Sequence, residues 1–250
     1  KTVITVAWGA PTLYYYCTQH SGMGGQVNTI ETRGSTNLKG SLPSVVSANT
    51  AAGFSIITWT ANSDSGTVGH GLNSAPELVL AKPLGSGTNW YVMHTPGGVV
   101  SANNVLNLDS TTAAFNPGVN HFNDTYPTAS VISYGGYLGD DLSNDDKVAY
   151  CFHSVEGYSK ISHYKGNGNP DGPMVNLGHR PAFILIKNAS SSSAWYIFDV
   201  ARNTYNVMDN YLRPNLSNAE GNLDFCDFVS NGFKIRSNAS EWNGNGNNII

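Results

Sequence analysis

Ala75-Pro76-Glu77-Leu78-Val79-Leu80-Ala81-Lys82 returns as Arg180-Pro181-Ala182-Phe183-Ile184-Leu185-Ile186-Lys187, an offset of 105 positions from Lys82 to Lys187. A proline followed by a short apolar run and one terminal lysine is a strand signal, because no helical face of three or four turns fits into it. The same frame carries Asn62, Leu72, Trp90 and Tyr91 onto Asn167, Leu177, Trp195 and Tyr196 without a gap. Self-similarity at a fixed spacing is the mark of tandem structural units. Further along, Ser133-Tyr134-Gly135 matches Ser230-Asn231-Gly232, so the second copy is shorter in its loops.

Each copy is expected to open with a hairpin. In the first, Pro43–Ala48 turns at 49–53 and returns as Phe54–Thr60; in the second, Val148–His153 turns through Glu156-Gly157 and returns as Tyr158–Tyr164. β-branched and aromatic residues alternate with polar ones in both. Ile249-Ile250 reads as a strand that closes the second copy or opens a third. The best helix candidate, Ala201–Leu212, is weak in helix formers. The expected fold class is all-β: two tandem antiparallel β-sandwich, jelly-roll-like repeats over 41–147 and 148–250, after a linker at 32–40 and a separate module at 1–31.

Composition narrows the function classes. Charged residues make up 12% of the 250, glycines number 27 and the net charge is −4. That balance excludes a phosphate-neutralising surface, so no nucleic acid is expected as a partner. No apolar run approaches the roughly 20 residues of a membrane-spanning helix, and no membrane insertion is expected. The chain opens on Lys1, and both ends look cut from inside a longer polypeptide. The three cysteines, Cys17, Cys151 and Cys226, are not expected to pair with one another.

The sharpest chemical motif is Tyr14-Tyr15-Tyr16-Cys17-Thr18-Gln19-His20-Ser21-Gly22-Met23. Thiolate, imidazole and thioether at this spacing suit copper, with sulfur and nitrogen in the trigonal plane and Met on the axis. The run resembles the last strand and ligand loop of cupredoxins. Cys17, His20 and Met23 would form an incomplete site, because a second histidine would have to lie before Lys1. The bland reading is a turn that keeps the motif without metal.

Hydrolytic chemistry is poorly supplied. Asp140-Asp141 with Asp145-Asp146 lies in a turn sequence better suited to solvent than to catalysis, and Asp224 with Asp227 is the other carboxylate cluster. No Gly-x-Ser-x-Gly elbow or phosphate-binding glycine loop occurs. No catalytic residues are assigned and no enzyme is expected. Trp90 and Trp195 read as core anchors, Trp59 and Trp242 as the better candidates for an exposed stacking face.

Residues 13–25, residues 149–160 (Ala-Tyr-Cys-Phe-His-Ser-Val-Glu-Gly-Tyr-Ser-Lys) and residues 195–209 (Trp-Tyr-Ile-Phe-Asp-Val-Ala-Arg-Asn-Thr-Tyr-Asn-Val-Met-Asp) together resemble a tandem domain of unknown function in tail and fibre proteins of marine bacteriophages, cyanophages among them. The resemblance implies a structural protein on the virion surface, a tail fibre or appendage with a role in host attachment. Its implied partners are other virion proteins, a host-surface glycan or receptor, and further copies of the chain in a homo-oligomer, a trimer by analogy with fibres. A secreted carbohydrate-binding protein or glycan-degrading enzyme is the competing reading, and a capsid decoration protein a further one.

Overall fold

A computed structural model describes residues 13–16, 19, 24–27, 34–61, 64–85, 87–100, 102–139 and 146–250. The chain is all-β, built from several antiparallel sheets, with two single-turn α-helices among the described residues. β1 (Leu13–Tyr16) and β2 (Gly24–Val27) form an antiparallel hairpin of their own.

The first unit centres on a seven-stranded sheet. Its strands are β3 (Ser35–Asn37), β4 (Ser44–Asn49), β5 (Phe54–Thr60), β7 (Leu78–Pro83), β8 (Tyr91–His94), β9 (Leu106–Asn107) and β11 (Asp146–Phe152). They lie in the order β3-β4-β5-β11-β7-β8-β9. β6 (Gly66–Gly69) and β10 (Val131–Tyr134) pair as a ribbon across its inner face. The period of two decides which residues face inward. Val46, Ile57, Trp59, Val79, Ala81, Ala149 and Cys151 turn toward Val68, Ile132 and Tyr134, and together they make the first core.

The expected β4–β5 hairpin is present, with register Val45↔Thr58 to Asn49↔Phe54. Its loop needs Gly53. The φ of +64° there is left-handed, and a Cβ would lie 2.6 Å from the carbonyl oxygen of His153. The loop is also tied by Asn49 Oδ1, which accepts from the Ala52 N–H at 3.0 Å.

The second unit contains β12 (Tyr164–Lys165), β13 (Met174–Asn176), β14 (Phe183–Lys187), β15 (Trp195–Asp199), β16 (Met208–Tyr211), β17 (Gly221–Val229), β18 (Gly232–Ile235) and β19 (Asn248–Ile249). β13-β18-β17-β16 form one sheet, β14 pairs with β15 and β12 with β19. α1 (Gly136–Gly139) belongs to the first unit, where Leu138 enters the first core, and α2 (Ser240–Asn243) delivers Trp242 to the second core.

The repeat is visible in strand register. In the first unit Lys82 pairs with Val148 and Trp59 with Lys147. In the second, Lys187 and Ile250 exchange N–H···O bonds at 3.0 Å each way, and Tyr164 pairs with Ile249. Thus β5-β11-β7-β8 and β12-β19-β14-β15 follow one order, and Ile249-Ile250 closes the second unit. The copies differ at their flanks. Val148–His153, expected as the opening strand of the second copy, falls mostly within β11, which is inserted between β5 and β7 of the first. The boundary expected between 147 and 148 therefore falls inside β11. The return arm expected at Tyr158–Tyr164 is a turn with one bridge, Val155↔Ser159, before β12. The helix considered at Ala201–Leu212 is a turn followed by β16, consistent with its content of Asn, Tyr and Val.

Candidate functional site

The long sheet has two usable faces. On the outer one, β7 and β8 present Leu78, Leu80 and Val92, and these join Leu106, Leu185, Ala189, Trp195 and Ile250 in a third apolar cluster. Leu80 and Leu185 are repeat equivalents, so the units meet through the same face of the same hairpin. β8 is consequently buried on both sides, with Tyr91 and Met93 in the first core and Val92 at the seam. Polar bonds cross the same boundary. Trp195 Nε1 donates to the Asn107 carbonyl at 2.9 Å, the Ala114 N–H to the Ala189 carbonyl at 2.9 Å, and the Ser193 N–H to the Thr111 carbonyl at 2.8 Å.

Lys187 sits at the seam, buried, with three carbonyls for its ammonium: Ser193 at 2.8 Å, Asn188 at 3.0 Å and Thr111 at 3.2 Å. Burial lowers its pKa to about 8, since dipoles alone compensate the lost hydration. Its repeat equivalent Lys82 donates to the Thr88 carbonyl and lies 6.0 Å from the Trp90 ring centroid. These lysines went unassigned in the sequence reading. The signal that exposes them is a lysine recurring at the end of an apolar strand in both copies.

The outer face continues over β4, β5 and β11. Trp90 stacks on Tyr150 at 5.7 Å with 11° between planes. Phe54 lies 6.4 Å from Tyr150 and 4.8 Å from Phe152. These four rings are half-buried, beside Val45 and Ile56, which are 44% and 36% exposed. An open groove of about 680 Å³ lies at the β3–β4 edge, lined by Thr36, Asn37, Leu38, Val46 and Ala48 among others. It brings no titratable side chain with it.

His94 and His153 lie where β7 begins and where β8 and β11 end. His94 Nε2 donates to the Ser162 carbonyl at 2.9 Å, while its buried Nδ1 has no partner. Burial lowers the His94 pKa to about 4, and also that of His121 to about 4. His153 reaches Asn73 Oδ1 at 3.1 Å, and the Ser154 N–H donates to the Glu77 carboxylate. This wiring straps residues 153–162 onto the first unit.

Cys17, His20 and Met23 lie outside the described residues, as do Asp140, Asp141 and Asp145. Among the described residues no three His, Cys, Asp or Glu side chains are grouped to hold a metal ion. Asp146 accepts from Thr60 Oγ1 at 2.6 Å, Asp227 pairs with Arg236 at 2.5 Å, and Asp224 is exposed. Trp59 and Trp242 are corrected from stacking candidates to core: they are 3% and 1% exposed. Trp242 meets Tyr196, Phe225 and Phe198 at 5.1, 5.5 and 5.7 Å. An indole in a 100-residue β unit supplies apolar area that few other residues can, which favours the inside. Trp195 is buried and Trp90 half-buried.

Residues 29–250 match a family model described as a domain of unknown function, DUF7483. The chain belongs to that family. The DUF7483 match takes in both units and leaves out the β1–β2 hairpin, where the expected separate module lies. No match to this chain was found among curated proteins or among solved structures. Among the described residues no helix is long and apolar enough to cross a membrane.

Proposed function

We propose that this chain is a structural module of a virion appendage, a phage tail fibre or related surface protein, and that it contributes to host attachment without catalysing a reaction. The observation that carries the reading is the seam. Two copies of one β unit are locked through equivalent apolar faces, with Trp195 and the buried Lys187 bridging them. Such fusion makes a double module that holds its shape and displays polar loops, which is what an appendage under mechanical stress requires. The sparse charge and the resemblance to phage tail and fibre proteins support the same conclusion. In this reading the chain is a homo-oligomer, a trimer by analogy, exposed on the virion and in contact with other virion proteins.

Glycan recognition is the second reading. The exposed Tyr158 and Tyr205, at 66% and 83%, favour it, since free aromatic faces stack on sugars. Purified chain added to host cells should lower phage adsorption, and antibody raised against it should decorate the tail of intact particles. Release of oligosaccharide from host envelope glycan would favour a glycan-degrading enzyme and overturn the structural reading.

A further inference from the structure

Among the described residues the outer face of the seven-stranded sheet is only half covered. Over β7, β8 and β9 it is closed by the second unit. Over β4, β5 and β11 the outward residues are Val45 and Ser47, then Phe54, Ile56 and Thr58, then Phe152 and Tyr150, with Val148 on the same side but buried. Registration places them in contiguous rows: Ser47↔Ile56↔Tyr150 and Asn49↔Phe54↔Phe152. Among the described residues the charges on these rows are at their ends: Asp146, bonded to Thr60, at one corner, and Lys82, which follows Val148 in register and has its ammonium over the Trp90 ring and on the Thr88 carbonyl. Contiguous apolar surface with so little charge is an interaction surface more often than a solvated one.

Ring geometry narrows the occupant. Trp90 and Tyr150 are stacked on each other, so their faces are already used. Tyr150 also has Phe54 at 6.4 Å, so these rings are engaged with one another and not laid out singly for a sugar. A sheet face that carries apolar and aromatic side chains packs readily against another sheet face, as in sandwich interiors. The covered half shows which sheet this fold uses: its own repeat, placed through the equivalent face. Beyond the seam the second unit offers Phe183, 57% exposed, at the position Leu78 holds in the first. The open half is continuous with that interface.

We infer that the outer face of β4, β5 and β11 is the contact between copies of this chain, with a second copy covering the open half as the second unit covers the rest. This rests on the homo-oligomer reading above and names its surface. Around an axis, three such faces turn inward and closed symmetry ends the assembly.

The 250-residue chain is compared with Val45→Asp/Ile56→Asp and, as a control, Ser217→Asp on an exposed loop of the second unit. Mass is measured by light scattering at micromolar concentration, with circular dichroism and thermal melting alongside. The wild type and the control should be oligomeric. The double variant should be a folded monomer whose self-dissociation constant rises by about a hundredfold. Ser47→Lys, which alters an exposed polar residue on the same face, should also dissociate the assembly and stands in if the aspartates perturb folding. A double variant and a lysine variant that stay oligomeric overturn the surface and leave the homo-oligomer reading intact. A wild type that is monomeric overturns both. Dissociation of the Ser217→Asp control overturns the assignment to this face.

Discussion

The Nζ of Lys187 donates to the carbonyl oxygen of Ser193 at 2.8 Å, and 105 residues earlier Lys82 makes the same bond to Thr88. In each unit a lysine at the end of one strand closes the loop leading to the next. In the second unit the ammonium also reaches Thr111 across the seam, so one charge organises both the loop and the junction between repeats.

Replacing Lys187 with Met should destabilise the protein by about 2–4 kcal/mol near pH 7, because three buried carbonyls lose their donor. The pH dependence has a definite sign. The pKa is lowered in the folded state to about 8 from 10.5, so folding disfavours the protonated form. The stability linked to this group is complete above pH 10.5 and is lost as pH falls through 8. Chemical denaturation of both proteins between pH 7 and 10.5 should show the deficit of Lys187→Met widening toward alkaline pH.

Trp195 tests the seam directly. Trp195→Phe should cost about 1–2 kcal/mol through the lost bond to the Asn107 carbonyl. Trp195→Ala adds a cavity among Val92, Leu106 and Ile250 and should cost about 3–5 kcal/mol. Hydrogen exchange should report the damage on both sides of the junction, with faster exchange at the Ala114 and Ser193 amides. Acceleration confined to the second unit would deny that the units are energetically joined.

Cys151 and Cys226 are both free and buried, and burial pushes the Cys151 thiol up to about 12 and raises Cys226 as well. Thiolate is the reactive form, so neither should react with an aromatic disulfide reagent at pH 8 in the folded protein. Both should label promptly in denaturant. Fast labelling of either in native buffer would show that the sheet opens locally at β11 or β17.

Much of this fold was legible because it repeats. A lysine-terminated apolar run seen twice locates β7 and β14, and the alternation of Phe54–Thr60 sets which side of β5 is core. The division between units was not legible. Val148–Phe152 has the pattern of any buried strand, and nothing local says whether it pairs with β5 and β7 behind it or opens a hairpin ahead. That is decided by non-local pairing, to which strand propensity is blind. The tryptophans failed for a related reason. Trp242 follows a polar stretch and reads as exposed, yet the single turn of α2 aims it into the aromatic core. The buried polar groups Lys187, Asn188 and Asn243 were missed because their partners are backbone atoms, some in the adjoining loop and some, such as the Thr111, Ser240 and Asn169 carbonyls, from distant ones. Asn243 bonds the Asn169 and Ser237 carbonyls and accepts from the Asn167 N–H.

Acid should loosen the strap between the units. His94 holds residue 162 through its Nε2–H, which fixes the neutral tautomer and leaves Nδ1 as a bare acceptor in a buried site. Burial lowers its pKa most. The Ser162 carbonyl raises it, His163 lowers it and Glu77 raises it, for a net value of about 4 against 6.5 unfolded. His121, buried beside the Tyr91 ring at 3.9 Å, is shifted the same way to about 4. Both folded pKa values are depressed, so the linked stability is complete above pH 6.5 and is lost as pH falls through 4. Each histidine contributes up to about 1.4 kcal/mol per pH unit in that window. Thermal melts from pH 7.5 to 4.0 should show the midpoint falling below pH 6.5. In His94→Asn that fall should be shallower, at the cost of a lower midpoint at pH 7.5. Parallel curves for the two proteins would mean that His94 does not titrate within the folded state and that the strap is held by other contacts.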